Sequence, residues 1–245
     1  MIPPQLVARL ADGVDSFHRL LRSTPPDLPV ITCPGWDVSA LGQHLTSIHG
    51  WATAALRTPP DGPEPAEPAL LDVTGPDLAT EYVFAAQLLL DTLDDLDPDT
   101  PCWAFGPPQR AAFWARRQAH EVAVHRFDLQ RAAGEVPNRM PVDLAVDGID
   151  EVVTMFFPRQ VRLGRIPPLT RTLAIRPTDA EARWVVAGDG TAPDSGVDEA
   201  EATVEGTSHD LALLLWHRVT LDDRTVTLTG DESAGRAVLG SRIVP

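Results

Sequence analysis

Apolar residues recur at helical spacing from the start of the chain. Leu6, Leu10, Val14, Phe17 and Leu21 share one stripe, which predicts a helix over 5–22. Pro25, Pro26 and Pro29 end it, because proline lacks an amide hydrogen and crowds the preceding turn. The run Thr32-Cys33-Pro34-Gly35-Trp36 reads as extended or turning. Asp37 then suits the N-cap of a helix through about residue 57, whose stripe is Leu41, Leu45, Ile48 and Ala52. An acidic, proline-rich loop follows over 58–75, with Pro59, Pro60, Pro63, Pro65 and Pro68. The segments around it are too short to fold alone, so it joins helices rather than domains. A third helix is expected over 77–96, a second proline-bearing loop over 97–109, and a fourth helix over 110–133, ended by Gly134.

Four helices of this length suggest an antiparallel bundle. The pattern changes after Pro141. One more amphipathic helix reaches about residue 161, and strand-like runs follow at 170–176, 182–187, 200–205 and 225–229. Thr207-Ser208-His209-Asp210 opens a helix in the manner of a capping box, and that helix carries Leu211, Leu214, Leu215 and Arg218. A last helix spans 232–239. The expectation is an α+β protein of two domains: a four-helix bundle over 1–140 and a small α+β domain over 141–245. No internal repeat is evident.

Composition narrows the function. The chain of 245 residues is 43% hydrophobic, yet no apolar run approaches the ~18 residues that span a membrane. The start, Met1-Ile2-Pro3-Pro4-Gln5, lacks the basic and apolar segments of a signal peptide. A net charge of −15 argues against nucleic acid or an anionic membrane as partner, since both select basic patches. Every basic residue outside histidine is arginine, and Asn138 is the single asparagine, a bias that points to a GC-rich, actinobacterial kind of genome. Two cysteines, Cys33 and Cys102, are too few for a disulfide framework, so a reduced cytoplasm is the expected setting.

The candidate chemistry lies in the fourth helix. Glu121 and His125 are four apart, about 40° around the helix, on the face that also carries Trp114, Leu129 and Ala132. A carboxylate and an imidazole facing inward need pairing or a metal. They can bind a zinc-type cation together, or they can form a buried ion pair. His120 gives a false likeness to the zinc-protease helix. It is five residues from His125, about 140° away, where that motif needs histidines at i and i+4. His44, on the buried stripe of the second helix, is the best third ligand. A His₂Glu set would leave one zinc position open, the mark of a catalytic site.

Several neighbours keep two readings. Asp128 could receive the ring N–H of His125, or stand solvated beside Arg126 or Arg131. His49, about 140° from His44, reads as rim or surface. Cys33 reads as a buried structural cysteine rather than a reactive thiol, and Trp36, Trp51, Trp103 and Trp114 as core that could line a pocket.

Thr32-Cys33-Pro34-Gly35-Trp36-Asp37-Val38, Gln43-His44-Leu45, Ala119-His120-Glu121 and Val124-His125-Arg126-Phe127-Asp128 resemble the mycothiol-dependent maleylpyruvate isomerase family. So do Gly206-Thr207, residues 211–215, Trp216-His217-Arg218 and Gly230-Asp231, so the likeness covers nearly the whole chain. The resemblance implies a DinB-like bundle with a divalent metal, usually zinc, on His44, Glu121 and His125. It also implies a C-terminal domain related to sterol carrier proteins, expected to pack over the metal end. Mycothiol, a low-molecular-weight thiol, is the implied cofactor, held as thiolate by the metal near neutral pH. In an isomerase the thiolate would add to a small electrophile's cis double bond, and rotation and elimination would follow. In an S-transferase the thiol would stay on the product.

The resemblance also implies that Arg218 serves catalysis or cofactor binding by holding an anionic group through a two-pronged contact. A surface arginine at a helix end is the other reading. The alternatives for the whole protein are a metal-dependent hydrolase using zinc-activated water and a non-catalytic metal- or thiol-binding stress protein. The motifs do not fix a substrate, maleylpyruvate included.

Overall fold

Leu6, Leu10, Val14 and Phe17 are all buried along α1 (Pro3–Ser23), as their spacing requires. α2 (Val38–Leu56) starts where the Asp37 carboxylate accepts the Ala40 N–H at 2.7 Å. α3 (Gly75–Asp94) begins and ends two residues earlier than expected. Pro76 suits its first turn, and the acids Asp94, Asp95 and Asp97 oppose its continuation against the helix dipole. α4 (Ala111–Ala132) stops at Gly134 in the left-handed conformation (φ +73°), with the Glu135 N–H returned to the Gln130 carbonyl.

The computed structural model describes residues 1, 3–66, 69–70, 73–190 and 200–245. Pro68, expected in the first long loop, lies outside them. The chain divides into two compact units, Met1–Asn138 and Arg139–Pro245. In the first, α1 packs on α4 and α3, and α2 packs on α3 and α4. The order around the bundle is therefore α1-α4-α2-α3, which makes α2 and α4 neighbours. Gly13 lets α1 and α4 approach closely: a Cβ there would lie 2.8 Å from Val122 Cγ1.

The second unit opens with α5 (Val142–Glu151), a π-helical turn (Val152–Phe156) and α6 (Phe157–Arg162). One continuous helix was the expectation. The wider turn falls just before Pro158, whose ring crowds the carbonyl four residues back. Four strands, β1 (Leu169–Pro177), β2 (Trp184–Gly188), β3 (Ala202–Gly206) and β4 (Val226–Gly230), form one sheet in the order β2-β1-β3-β4. β1 is antiparallel to β2 and parallel to β3, and β3 is antiparallel to β4. Consecutive burial of Leu173, Ala174 and Ile175 shows both faces of β1 covered. α7 (Ser208–Leu215) is capped by Thr207, and α8 (Glu232–Leu239) by Asp231.

Arg218 does not ride on α7 as expected. His217 turns left-handed (φ +56°), and the Arg218 N–H closes the helix end on the Leu213 carbonyl at 2.8 Å. No helix among the described residues is long and apolar enough to cross a membrane.

Close approach at Gly13 makes one expectation testable. Gly13→Leu should cost about 1–3 kcal/mol by overpacking the α1–α4 contact, seen as a lower urea midpoint. An unchanged midpoint would show that this contact is loose.

Candidate metal centre

The site begins with a turn. The Trp36 N–H donates to the Cys33 carbonyl at 3.0 Å, and Gly35 has φ +87°. Pro34 fixes the first central position and Gly35 supplies the left-handed second, the signature of a type II turn. The Val30 N–H donates to the Trp36 carbonyl at 2.9 Å, and Pro29 pairs with Asp37, so a small hairpin leads directly into the cap of α2. Cys33, Trp36 and His44 thus come from one short stretch of chain whose backbone is tightly specified.

α2 and α4 then face each other with polar groups. His44 Nε2 lies 3.0 Å from Glu121 Oε1, and His125 Nε2 lies 3.4 Å from the same oxygen. The ligating atoms of His44, Glu121 and His125 fall within 4.8 Å of one another. The outward-facing atoms have other partners. Glu121 Oε2 accepts from Arg117 at 2.7 Å, and His125 Nδ1 lies 2.8 Å from Asp128 Oδ2. In a neutral His125 ring that contact places the proton on Nδ1 and turns the Nε2 lone pair toward Glu121. His44 is the most open of the three, its side chain 27% exposed against 16% for Glu121 and 9% for His125.

Charge is finely poised here. Burial alone would raise the Glu121 carboxyl. The Arg117 guanidinium and the hydrogen bonds from His125 and His44 outweigh it and hold the group well below the usual carboxylate range. Burial alone would lower His125. Asp128, Cys33 and Glu121 outweigh it and lift the imidazole well above its ordinary value. Without a metal the same atoms therefore form an ion-paired network. The two readings of Glu121 and His125, ion pair and ligand pair, draw on the same atoms.

The neighbours fall into place unevenly. Asp128 is fully buried against His125, not solvated beside an arginine. Cys33 is buried, and its thiol donates to Asp128 Oδ2 at 3.4 Å. Together with His125 it forms a second cluster, on the Nδ1 side of the ring. Trp36 lies with its ring 4.9 Å from that of His44 and stacks on His125 at 6.1 Å. Trp51, Trp103 and Trp114 pack instead in an aromatic cluster with Phe105.

His49 corrects the expectation of a rim position: it is fully buried. α2 packs on two helices, so its buried arc is wide enough to take in a residue 140° from His44. His49 Nδ1 lies 2.6 Å from Gln118 Oε1, its ring packs on Tyr82 at 5.4 Å, and burial lowers its pKa to about 4. Arg117 escaped the sequence reading. Its signal was the arginine one turn before Glu121, the i, i+4 spacing of a helical ion pair. Arg218, in the second unit, is part-buried, with its guanidinium donating to the Trp216 carbonyl at 2.8 Å.

Comparison with known families and structures adds an independent line. The mycothiol maleylpyruvate isomerase N-terminal domain model matches residues 7–130. The companion C-terminal domain model matches 143–236. The chain belongs to the mycothiol-dependent maleylpyruvate isomerase family. The family's N-terminal match contains His44, Glu121 and His125, and its C-terminal match contains Arg218. Two solved structures share the fold. A histidine-to-alanine mutant of the mycothiol-dependent maleylpyruvate isomerase aligns over 94% of this chain and 93% of its own, at TM-score 0.64 and 13% identity. A second structure of mycothiol-dependent maleylpyruvate isomerase covers 87% and 88%, at TM-score 0.58 and 13% identity. No curated relative matches the sequence.

The electrostatics set a pH dependence. A ligating His125 must be neutral, while its raised pKa keeps the metal-free ring protonated at pH values where an ordinary imidazole has lost its proton. Metal binding should release that proton. Below the raised pKa, affinity should fall about tenfold per pH unit. Calorimetry in buffers of different ionisation enthalpy checks this. A pH-independent affinity would place the metal elsewhere.

Proposed function

We propose that this chain is a metal-dependent enzyme that uses mycothiol to act on a small electrophile, as a cis–trans isomerase or an S-transferase. The carrying observation is the convergence of His44 Nε2 and His125 Nε2 on one oxygen of Glu121, with the remaining atoms of Glu121 and His125 held by Arg117 and Asp128. That donor set fits zinc, and three protein ligands leave a position for a fourth. When bound, the ion would supply the Lewis acidity that keeps a thiol as thiolate near neutral pH.

The chain's own residues supply the rest. Arg117 keeps Glu121 anionic, Asp128 aims His125, and Trp36 packs beside both imidazoles. Arg218 is assigned to an anionic group of substrate or cofactor, where a guanidinium offers two parallel donors. Isomerisation and S-transfer share this site and differ in whether the product keeps the thiol. A thiol cofactor also suits a reducing cytoplasm, and neither Cys33 nor Cys102 is in a disulfide.

Two experiments test this reading. Protein prepared without chelators should hold about one zinc-type ion per chain, and His44→Ala with His125→Ala should lose it. Turnover of maleylpyruvate or another activated alkene should require mycothiol. Equal turnover without thiol would favour the hydrolase, and metal binding with no turnover would favour the binding protein. Separately, Arg218→Ala should lower turnover of an anionic substrate roughly tenfold to a hundredfold, the worth of one charged hydrogen bond, with metal content unchanged. An unchanged rate would end the assignment of Arg218.

A further inference from the structure

The type II turn does more than lead into α2. It carries the Cys33 thiol to Asp128 Oδ2, at 3.4 Å, and the same oxygen lies 2.8 Å from His125 Nδ1. His125 presents its other nitrogen to Glu121. Cys33, Asp128 and His125 thus form one cluster, in which the thiol reaches the carboxylate that holds the ring, and Asp128 and Cys33 are both buried. A buried carboxyl is held by the donors that reach it, and here one is the ring it must aim and another is the thiol.

We propose that Cys33 is a positioning residue of the metal centre: its S–H, donated to Asp128, fixes the carboxyl that sets the orientation of His125, and so sets metal affinity. The proposal rests on the ligand reading of His44, Glu121 and His125. It gives the Cys33-Pro34-Gly35-Trp36 turn a chemical purpose. Pro34 and Gly35 fix the backbone so that the thiol meets Asp128 while Trp36 lies against the imidazoles. Direct ligation by Cys33 is a different arrangement. It would draw on the Nδ1 side of His125, where Asp128 already makes the closer contact.

Zinc affinity of the full-length protein, measured by competition with a chromophoric chelator, tests the proposal. Thermal melting serves as the check that each variant folds. Cys33→Ala should bind zinc roughly 10-fold more weakly than the natural chain, the lower end of the effect of losing an outer partner of a metal ligand, because Asp128 itself remains. Cys33→Ser, whose hydroxyl can donate to the same oxygen, should recover most of that loss. The cobalt-substituted natural chain should lack the intense near-ultraviolet band of a thiolate bound to cobalt. Equal affinity in Cys33→Ala would overturn the proposal. So would equal losses in Cys33→Ala and Cys33→Ser, which would assign the effect to packing, or a thiolate–cobalt band, which would make Cys33 a ligand. A natural chain that binds no zinc would overturn the ligand assignment itself, and the proposal with it.

Discussion

Glu121 Oε1 is the point on which the bundle's polar chemistry turns. It sits between two imidazole nitrogens from different helices, at 3.0 and 3.4 Å. A largely buried carboxylate is costly unless every direction around it is answered. Arg117 answers one side, and the two histidines answer the other. That arrangement exists only because α2 and α4 are neighbours in the bundle, and the close α1–α4 contact at Gly13 helps to hold α4 in place.

The polar network reaches outward in a definite order. Asp128 orients His125, Cys33 reaches Asp128, and Trp36 lies over the rings of His44 and His125. The last two contacts depend on the left-handed Gly35, because the turn it completes brings Cys33 and Trp36 to the same site. A second buried pair, His49 and Gln118, lies between the same two helices without joining the cluster of His44, Glu121 and His125. Burial keeps His49 neutral, so it adds little charge beside the network.

Much of this was legible in the chain. The stripe of Leu6, Leu10, Val14 and Phe17, the Asp37 cap and the stop at Gly134 are local signals, and each element formed where its signal stood. The i, i+4 spacing of Glu121 and His125 likewise placed both on one face. What escaped depends on packing between helices. Periodicity around one helix assigns His49 to a rim, and only the double packing of α2 shows why it is buried. The partner of Asp128 was ambiguous for a similar reason: arginines stand near it in sequence, while Cys33 meets it from 95 residues away. The π-helical turn before Pro158 shows the opposite case, a local steric signal present in the sequence that a simple helical stripe conceals.

Anomalous diffraction from crystals of the zinc-loaded protein tests the proposed metal site most directly. One peak is expected, within about 2.0–2.2 Å of His44 Nε2, Glu121 Oε1 and His125 Nε2, with Asp128 still on His125 Nδ1. A peak bonded to Cys33 or Asp128, or no peak beside Glu121, would contradict it.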